Sequence, residues 1–362
     1  MVQPIRFGVM YDCRVRPGSG ESMRAVYGAT LEQVKLADQL GIDLVWFTEH
    51  HFLEDGYLPA FQPLAGAVAA VTDRIRISTD ITLLPLYHPL RLAEEMAVLD
   101  QISGGRMELG IGMGYVPEEF RAFGRSLNQR VSLTEEGIEI LRQAWSDEPV
   151  NFHGKRYDID AINVYPKPLQ AGGPPLWIAA MKTAGALRAA RFDTHLLPQG
   201  PRVEVLDPWR DALTASGRDP GSYRVGIARS ILVTEDPERD WPAVREAERY
   251  RMSVYQRYFA ETPDVYAWGN KDAHPIPQTW IVGDPDHCVA ELQRFIAEYG
   301  VTDISMLGLP PGLDSEVMGR NLERVANEVL PRVRAGAGAL DRPVGGSATP
   351  SYPTSGDMSG RL

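Results

Sequence analysis

Apolar runs that read as buried strands alternate with helix-patterned segments through nearly the whole chain. Such alternation is compatible with few architectures other than a parallel sheet flanked by helices. The runs fall at 5–10, 43–48, 74–84, 107–114, 176–181, 194–198, 223–233 and 303–309. Eight such units in 362 residues predict an α/β protein with a single closed (β/α)8 TIM barrel carrying insertion loops, since a doubly wound sheet more often stops at about five or six strands. The barrel domain is expected over 1–334. Two stretches interrupt the alternation. At 147–175, Phe152-His153-Gly154-Lys155 forms a turn and Pro166, Pro168, Pro174 and Pro175 follow, which reads as an inserted hairpin and crossing loop; 261–280, with Pro263, Trp268, Gly269, Pro275, Pro277 and Trp280, reads as a second insertion. Loops of that length commonly act as covers. The stretch 335–362 is rich in Gly, Ser, Pro and Thr and is expected to be a disordered tail.

Composition narrows the function classes. A chain that is 44% hydrophobic and 23% charged is an ordinary globular protein, and its net charge of −11 with no basic run argues against nucleic-acid binding. No apolar stretch is long enough to span a bilayer and no secretory signal pattern opens the sequence, so no membrane partner and a cytoplasmic location are expected. Cys13 and Cys288 are far apart and have no second ligand pattern nearby, which predicts free thiols.

The segment Trp46-Phe47-Thr48-Glu49-His50-His51-Phe52 places three ionisable side chains at the end of an apolar run, preceded by a helical pattern over 25–40 that stops at Gly41. In parallel α/β folds the carboxyl ends of the strands carry the chemistry. Successive strand residues face opposite sides, so a cavity-facing His50 leaves Glu49 and His51 to brace the strand, and the adjacent pair is a poor chelate. No metal is expected. In Ser103-Gly104-Gly105-Arg106 the glycines permit a tight turn, across which Arg106 is placed to pair with Asp100. The glycines of Gly110-Ile111-Gly112-Met113-Gly114 fit either close packing of a barrel strand or the approach of a planar ring or phosphate to bare backbone.

Four segments carry a family resemblance: 41–52 with its Glu-His-His, 83–91 (Leu-Leu-Pro-Leu-Tyr-His-Pro-Leu-Arg), 99–115 with its Ser-Gly-Gly-Arg turn and glycine-spaced strand, and 119–145. Together they resemble the bacterial luciferase-like flavin-dependent monooxygenases, a family built on an eight-stranded barrel with a large insertion. The resemblance implies a luciferase-like enzyme in which His50 is the catalytic acid/base. It also implies that the flavin ring lies against a cis peptide at Asp80-Ile81, where an aspartate is less usual than a small or aliphatic residue. For the cofactor it implies contacts from Gly112, Met113 and Gly114, with Met113 standing where bacterial luciferase has a phosphate-binding arginine. Arg130 resembles a second phosphate arginine, and Met181, Lys182 and Thr183 match the polar helix start after strand five, although Thr183 would serve equally well as an ordinary helix cap. His88 sits in a family motif whose loop setting suits a turn-stabilising role.

Three readings follow from the resemblance. The first is an FMN-dependent monooxygenase that takes reduced FMN from a separate NAD(P)H flavin reductase and uses O2 to oxygenate a small organic substrate through a peroxyflavin, within a dry, lidded cavity. The second is a hydride-transfer oxidoreductase using the deazaflavin coenzyme F-420. A non-catalytic flavin-binding member is the third. A homodimer is implied by family habit. Tyr57, Tyr115, Trp268 and Trp280 are candidates either to line an apolar pocket or to pin the loops that carry them.

Overall fold

The computed structural model describes residues 3–261 and 276–337. Its parallel strands are β1 (Arg6–Tyr11), β2 (Leu44–Phe47), β3 (Arg76–Thr79) continued by β4 (Thr82–Leu83), and β5 (Leu109–Gly112). A hairpin of β6 (Val150–His153) and β7 (Asp158–Ile162) intervenes before β8 (Leu176–Ala180) and β9 (His195–Pro198). Then come β10 (Gly226–Ala228), continued by β11 (Ser230–Val233), and β12 (Trp280–Gly283) and β13 (Asp303–Leu307). The order β10-β13-β1-β2-β3 forms one run and β4-β5-β8-β9 another. Parallel bridges from Ile77 to Met107 and from Leu196 to Val225 join the two runs at both seams, so the eight expected strands close a ring.

The helices are α1 (Met23–Gln39), α2 (Phe61–Val71), α3 (Pro89–Ser103), α4 (Pro117–Ala122), α5 (Arg130–Trp145) and α6 (Thr183–Arg191). They continue as α7 (Val203–Ala215), α8 (Pro237–Glu261), α9 (Pro285–Tyr299), α10 (Ser315–Arg324) and α11 (Leu330–Ala337). Local chemistry sets their ends. The Ser22 hydroxyl accepts from Ala25 N–H at the start of α1, Pro89 opens α3, and Asp284 caps α9 by accepting from His287 N–H. Gly104 and Gly300 terminate α3 and α9 in the left-handed conformation.

Trp46 and Trp177 meet edge to face inside the barrel with centroids 5.3 Å apart. Polar side chains close the amino end. Glu108, just before β5, accepts from Arg6 Nη1 at 2.7 Å, from Arg76 Nε, and from Trp177 Nε1 at 2.8 Å, while Arg6 Nε also donates to Asp303. Burial works against the charge on Glu108, yet the two guanidinium groups hold its carboxyl down at about 2. The same burial lifts the Asp303 carboxyl.

Several sequence expectations need correction. The second insertion is expected to reach residue 280, but Trp280 lies buried in a strand that pairs with β11 and packs on Trp241 at 5.4 Å. Residues 262–275, including Trp268, lie outside the described residues. The tail was placed from residue 335, whereas α11 runs to Ala337; residues 338–362 lie outside the described part. Arg106 does not pair with Asp100. It donates instead to the carbonyls of Ala69, Thr72 and Ile75, answering the unpaired acceptors at the end of α2. Asp100 is buried against the crossing loop, where it accepts from the backbone and side chain of Gln170. Gln170 also bonds Met107 O, which puts this part of the insertion at the barrel's amino end. The covering role expected of 147–175 therefore reduces to the hairpin tip, where Tyr157 rests against Tyr87 and His88.

Candidate active site

β2 delivers Thr48, Glu49, His50 and His51 to the carboxyl end of the barrel, and the alternation of the strand separates them. His50 Nδ1 lies 2.9 Å from Glu119 Oε1 and Nε2 lies 3.1 Å from the Tyr115 hydroxyl. The rings of Tyr57, Tyr115 and Tyr255 meet the imidazole edge-on at 4.9, 5.5 and 6.1 Å. Glu49 and His51 bond each other at 3.0 Å on the other side, where the Tyr87 hydroxyl donates to the second Glu49 oxygen. Burial lifts the Glu49 carboxyl, and the His51 and Tyr87 contacts oppose that lift.

The peptide Asp80-Ile81 is cis and lies in the break between β3 and β4. Asp80 N–H donates to Phe47 O, which sets it beside the end of β2. Its Oδ1 is buried with no hydrogen-bond partner, and desolvation pushes the carboxyl up to about 6 although the residue is partly open. A carboxyl raised in the fold weakens stability above about pH 6, and that penalty vanishes as pH falls towards its ordinary value of 3.8. Asp80→Asn is therefore expected to raise the thermal midpoint at about pH 8, with the gain closing only as pH falls to about 4. An equal gain at both pH values would show that charge on Asp80 is not the cause.

Close packing explains two of the glycines. A Cβ on Gly110 would stand 1.9 Å from Thr79 O, and one on Gly112 would stand 1.6 Å from Ile81 Cδ1. The bare backbone at Gly112 is thus covered by Ile81 rather than left open. Met113 and Gly114 follow β5 at the rim and are partly exposed.

Arg130 is the first residue of α5, partly exposed, with Nη1 donating to Leu127 O at 3.2 Å. Met181 leads into α6, whose N-cap, Lys182, makes no side-chain cap bond. Thr183 does not cap the helix, for its hydroxyl donates to Glu204 O. Arg188 and Arg191 of α6 share Glu135 of α5, so the two helices are neighbours. A guanidinium fork and an uncapped helix N-terminus each suit a phosphate, and the unpartnered Asp80 Oδ1 suits a donor on a bound ring. Among the described residues no cluster of three or more His, Cys, Asp or Glu is arranged to hold a metal ion.

The sequence reading missed the other half of the mouth. Arg14, 1% exposed, lies between the rings of Tyr57 and Tyr250, and its Nε donates to Asp55 at 2.7 Å. Asp12 lies 3.7 Å from Arg14, with neither oxygen hydrogen-bonded, and burial raises its carboxyl. Arg251 and Glu248 pair on α8, whose Tyr255 hydroxyl sits 2.6 Å from that of Tyr57. α8 therefore covers His50 from one side. Charged residues just past β1, in Asp12-Cys13-Arg14, were a signal of the same kind as Glu49-His50-His51; nothing in the sequence pointed to Tyr255, and Glu119 stood only as the first residue of the fourth family-like segment.

A family model described as luciferase-like monooxygenase matches residues 5–303. The chain belongs to that family. It is 32% identical to an uncharacterised Sinorhizobium fredii protein, y4vJ, over 89% of this chain and 95% of that one. It is 29% identical to an F420-dependent glucose-6-phosphate dehydrogenase of Amycolatopsis mediterranei, over 84% of this chain and 94% of the relative. The solved structure of the monooxygenase RslO1 from Streptomyces bottropensis superposes with a TM-score of 0.78 at 28% identity, covering 90% of this chain and 99% of that one. This luciferase-like family member is an oxidoreductase on the luciferase-type barrel. Among its described residues no helix is long and apolar enough to cross a membrane.

Proposed function

We propose that this luciferase-like enzyme is an FMN-dependent monooxygenase that receives reduced FMN from a separate reductase and oxygenates a small organic substrate. The observation that carries the reading is His50, buried at the end of β2 with both ring nitrogens hydrogen-bonded and three tyrosine rings around it. An enclosed imidazole can take and return a proton while bulk water is kept from the reacting atoms. Reduced flavin, when bound, would supply the electrons for oxygen chemistry. Asp80 and Ile81 would meet the ring system; Gly112, Met113 and Gly114 would border it. Arg130, with Lys182, Met181 and Thr183 at the start of α6, would hold the phosphate.

Hydride transfer with the deazaflavin coenzyme F-420 is the second reading, favoured by the Amycolatopsis relative and by Met113 in place of a phosphate-binding arginine. Parallel titration with reduced FMN and with the deazaflavin, followed by oxygen under stopped-flow absorbance, separates the two. A long-lived absorbance belonging to neither oxidised nor reduced flavin supports the monooxygenase; selective deazaflavin binding without an oxygen reaction overturns it.

The phosphate assignment has its own test. Loss of a charge-assisted bond worth about 1.5 kcal/mol or more makes Arg130→Ala expected to weaken FMN binding roughly 10-fold or more, with little effect on riboflavin. Equal losses for both ligands would remove Arg130 from the phosphate site.

A further inference from the structure

Both ring nitrogens of His50 are engaged within the protein, one by Glu119 and the other by Tyr115. The residue is only 5% exposed, while Tyr115 is partly open at the barrel mouth. Glu119 is 1% exposed, and the oxygen that meets Nδ1 also accepts the His51 backbone N–H at 2.9 Å. That second bond fixes where the carboxylate points. That oxygen is already an acceptor, so Nδ1 carries the proton that bonds it. Nε2 is left as the acceptor, and the Tyr115 hydroxyl is the donor that faces it.

From this geometry we infer that Tyr115 is the catalytic residue that exchanges a proton with the bound molecule, with His50 as the base behind it and Glu119 as the residue that sets its tautomer. The inference rests on the acid/base role proposed for His50. In the forward direction Tyr115 O–H breaks and Nε2–H forms while the phenolic oxygen takes a proton from the bound molecule. The imidazolium so formed keeps its Nδ1–H bonded to Glu119, and the same steps in reverse return the proton. The forward transfer leaves a positive charge on His50, whose Nδ1–H stays bonded to the buried Glu119 side chain. The Tyr57 and Tyr255 rings also pack against the imidazole, each steeply inclined to it.

The tautomer is measured directly by 15N NMR on the whole protein labelled at histidine, at a pH where the imidazole is neutral, with the His50 signal assigned by its loss in His50→Gln. The expected wild-type signal has Nδ1 protonated and Nε2 as acceptor. Tyr115→Phe should preserve that pattern, whereas Glu119→Gln, whose amide can donate to Nδ1, should mix or invert it. An Nε2-protonated wild-type ring, or an unchanged pattern in Glu119→Gln, overturns the inference. If Glu119→Gln does not fold, Glu119→Asp, which draws the carboxylate back, is expected to weaken the tautomer preference. In parallel, oxidation of reduced FMN by oxygen should slow about 10²-fold in Tyr115→Phe with FMN affinity retained. A full rate in Tyr115→Phe together with a slow rate in His50→Ala overturns the relay and makes His50 the direct acid/base. A full rate in His50→Ala overturns the acid/base reading itself.

Discussion

Replacing His50 by alanine is expected to lower turnover by about 10²-fold or more while leaving the fold and flavin affinity largely intact. The magnitude is the usual contribution of a positioned acid/base. The side chain follows β2 and rests on rings, so its removal opens a small void at the rim and leaves the ring of strands unbroken. Glu119 then loses its side-chain donor but keeps the His51 N–H. Steady-state rates measured beside FMN titration and a thermal melt check the expectation. Unchanged turnover in a folded variant would remove His50 from the chemistry.

The second large effect is structural and lies at the opposite end of the barrel. Glu108→Gln is expected to destabilise the protein by about 3 to 5 kcal/mol, because it withdraws the negative charge that Arg6 and Arg76 share in a buried setting. The folded carboxyl sits at about 2, below its ordinary 4.5, so its stabilising contribution is fully present above about pH 4.5 and is lost as pH falls towards 2. Wild type and variant should therefore differ most near neutral pH and converge in acid. Urea unfolding at about pH 7 and at about pH 3 measures both points. Identical midpoints at pH 7 would show that Asp303 suffices for Arg6, and the Met107 carbonyl and Gln170 for Arg76, without the charge on Glu108.

The barrel was legible because each of its strands is an apolar run between helix patterns, and local chemistry marks the boundaries: Ser22, Pro89, Asp284, Gly104 and Gly300 act within a turn of their own helices. β12 was hidden because its four residues follow closely on a run of prolines, glycine and tryptophan that reads as one insertion with it. Arg106 was mispaired for a similar reason. Asp100 is its neighbour in sequence, but the acceptors that claim its guanidinium end another helix.

At the site, the sequence by itself determined which strand ends carry ionisable groups, and the pleat separates His50 from Glu49 and His51 whatever the rest of the chain does. Family resemblance added the expectation that Asp80, Gly112 and Arg130 meet a flavin. Only the tertiary structure decided the partners. Glu119 reaches His50 from α4, Tyr255 reaches it from α8, and Arg14 is sandwiched between tyrosines from two distant segments. Hydrogen bonds and ring contacts of this kind depend on distances across the barrel mouth, which the spacing of residues along one strand does not encode. The closing of the ring sets those distances.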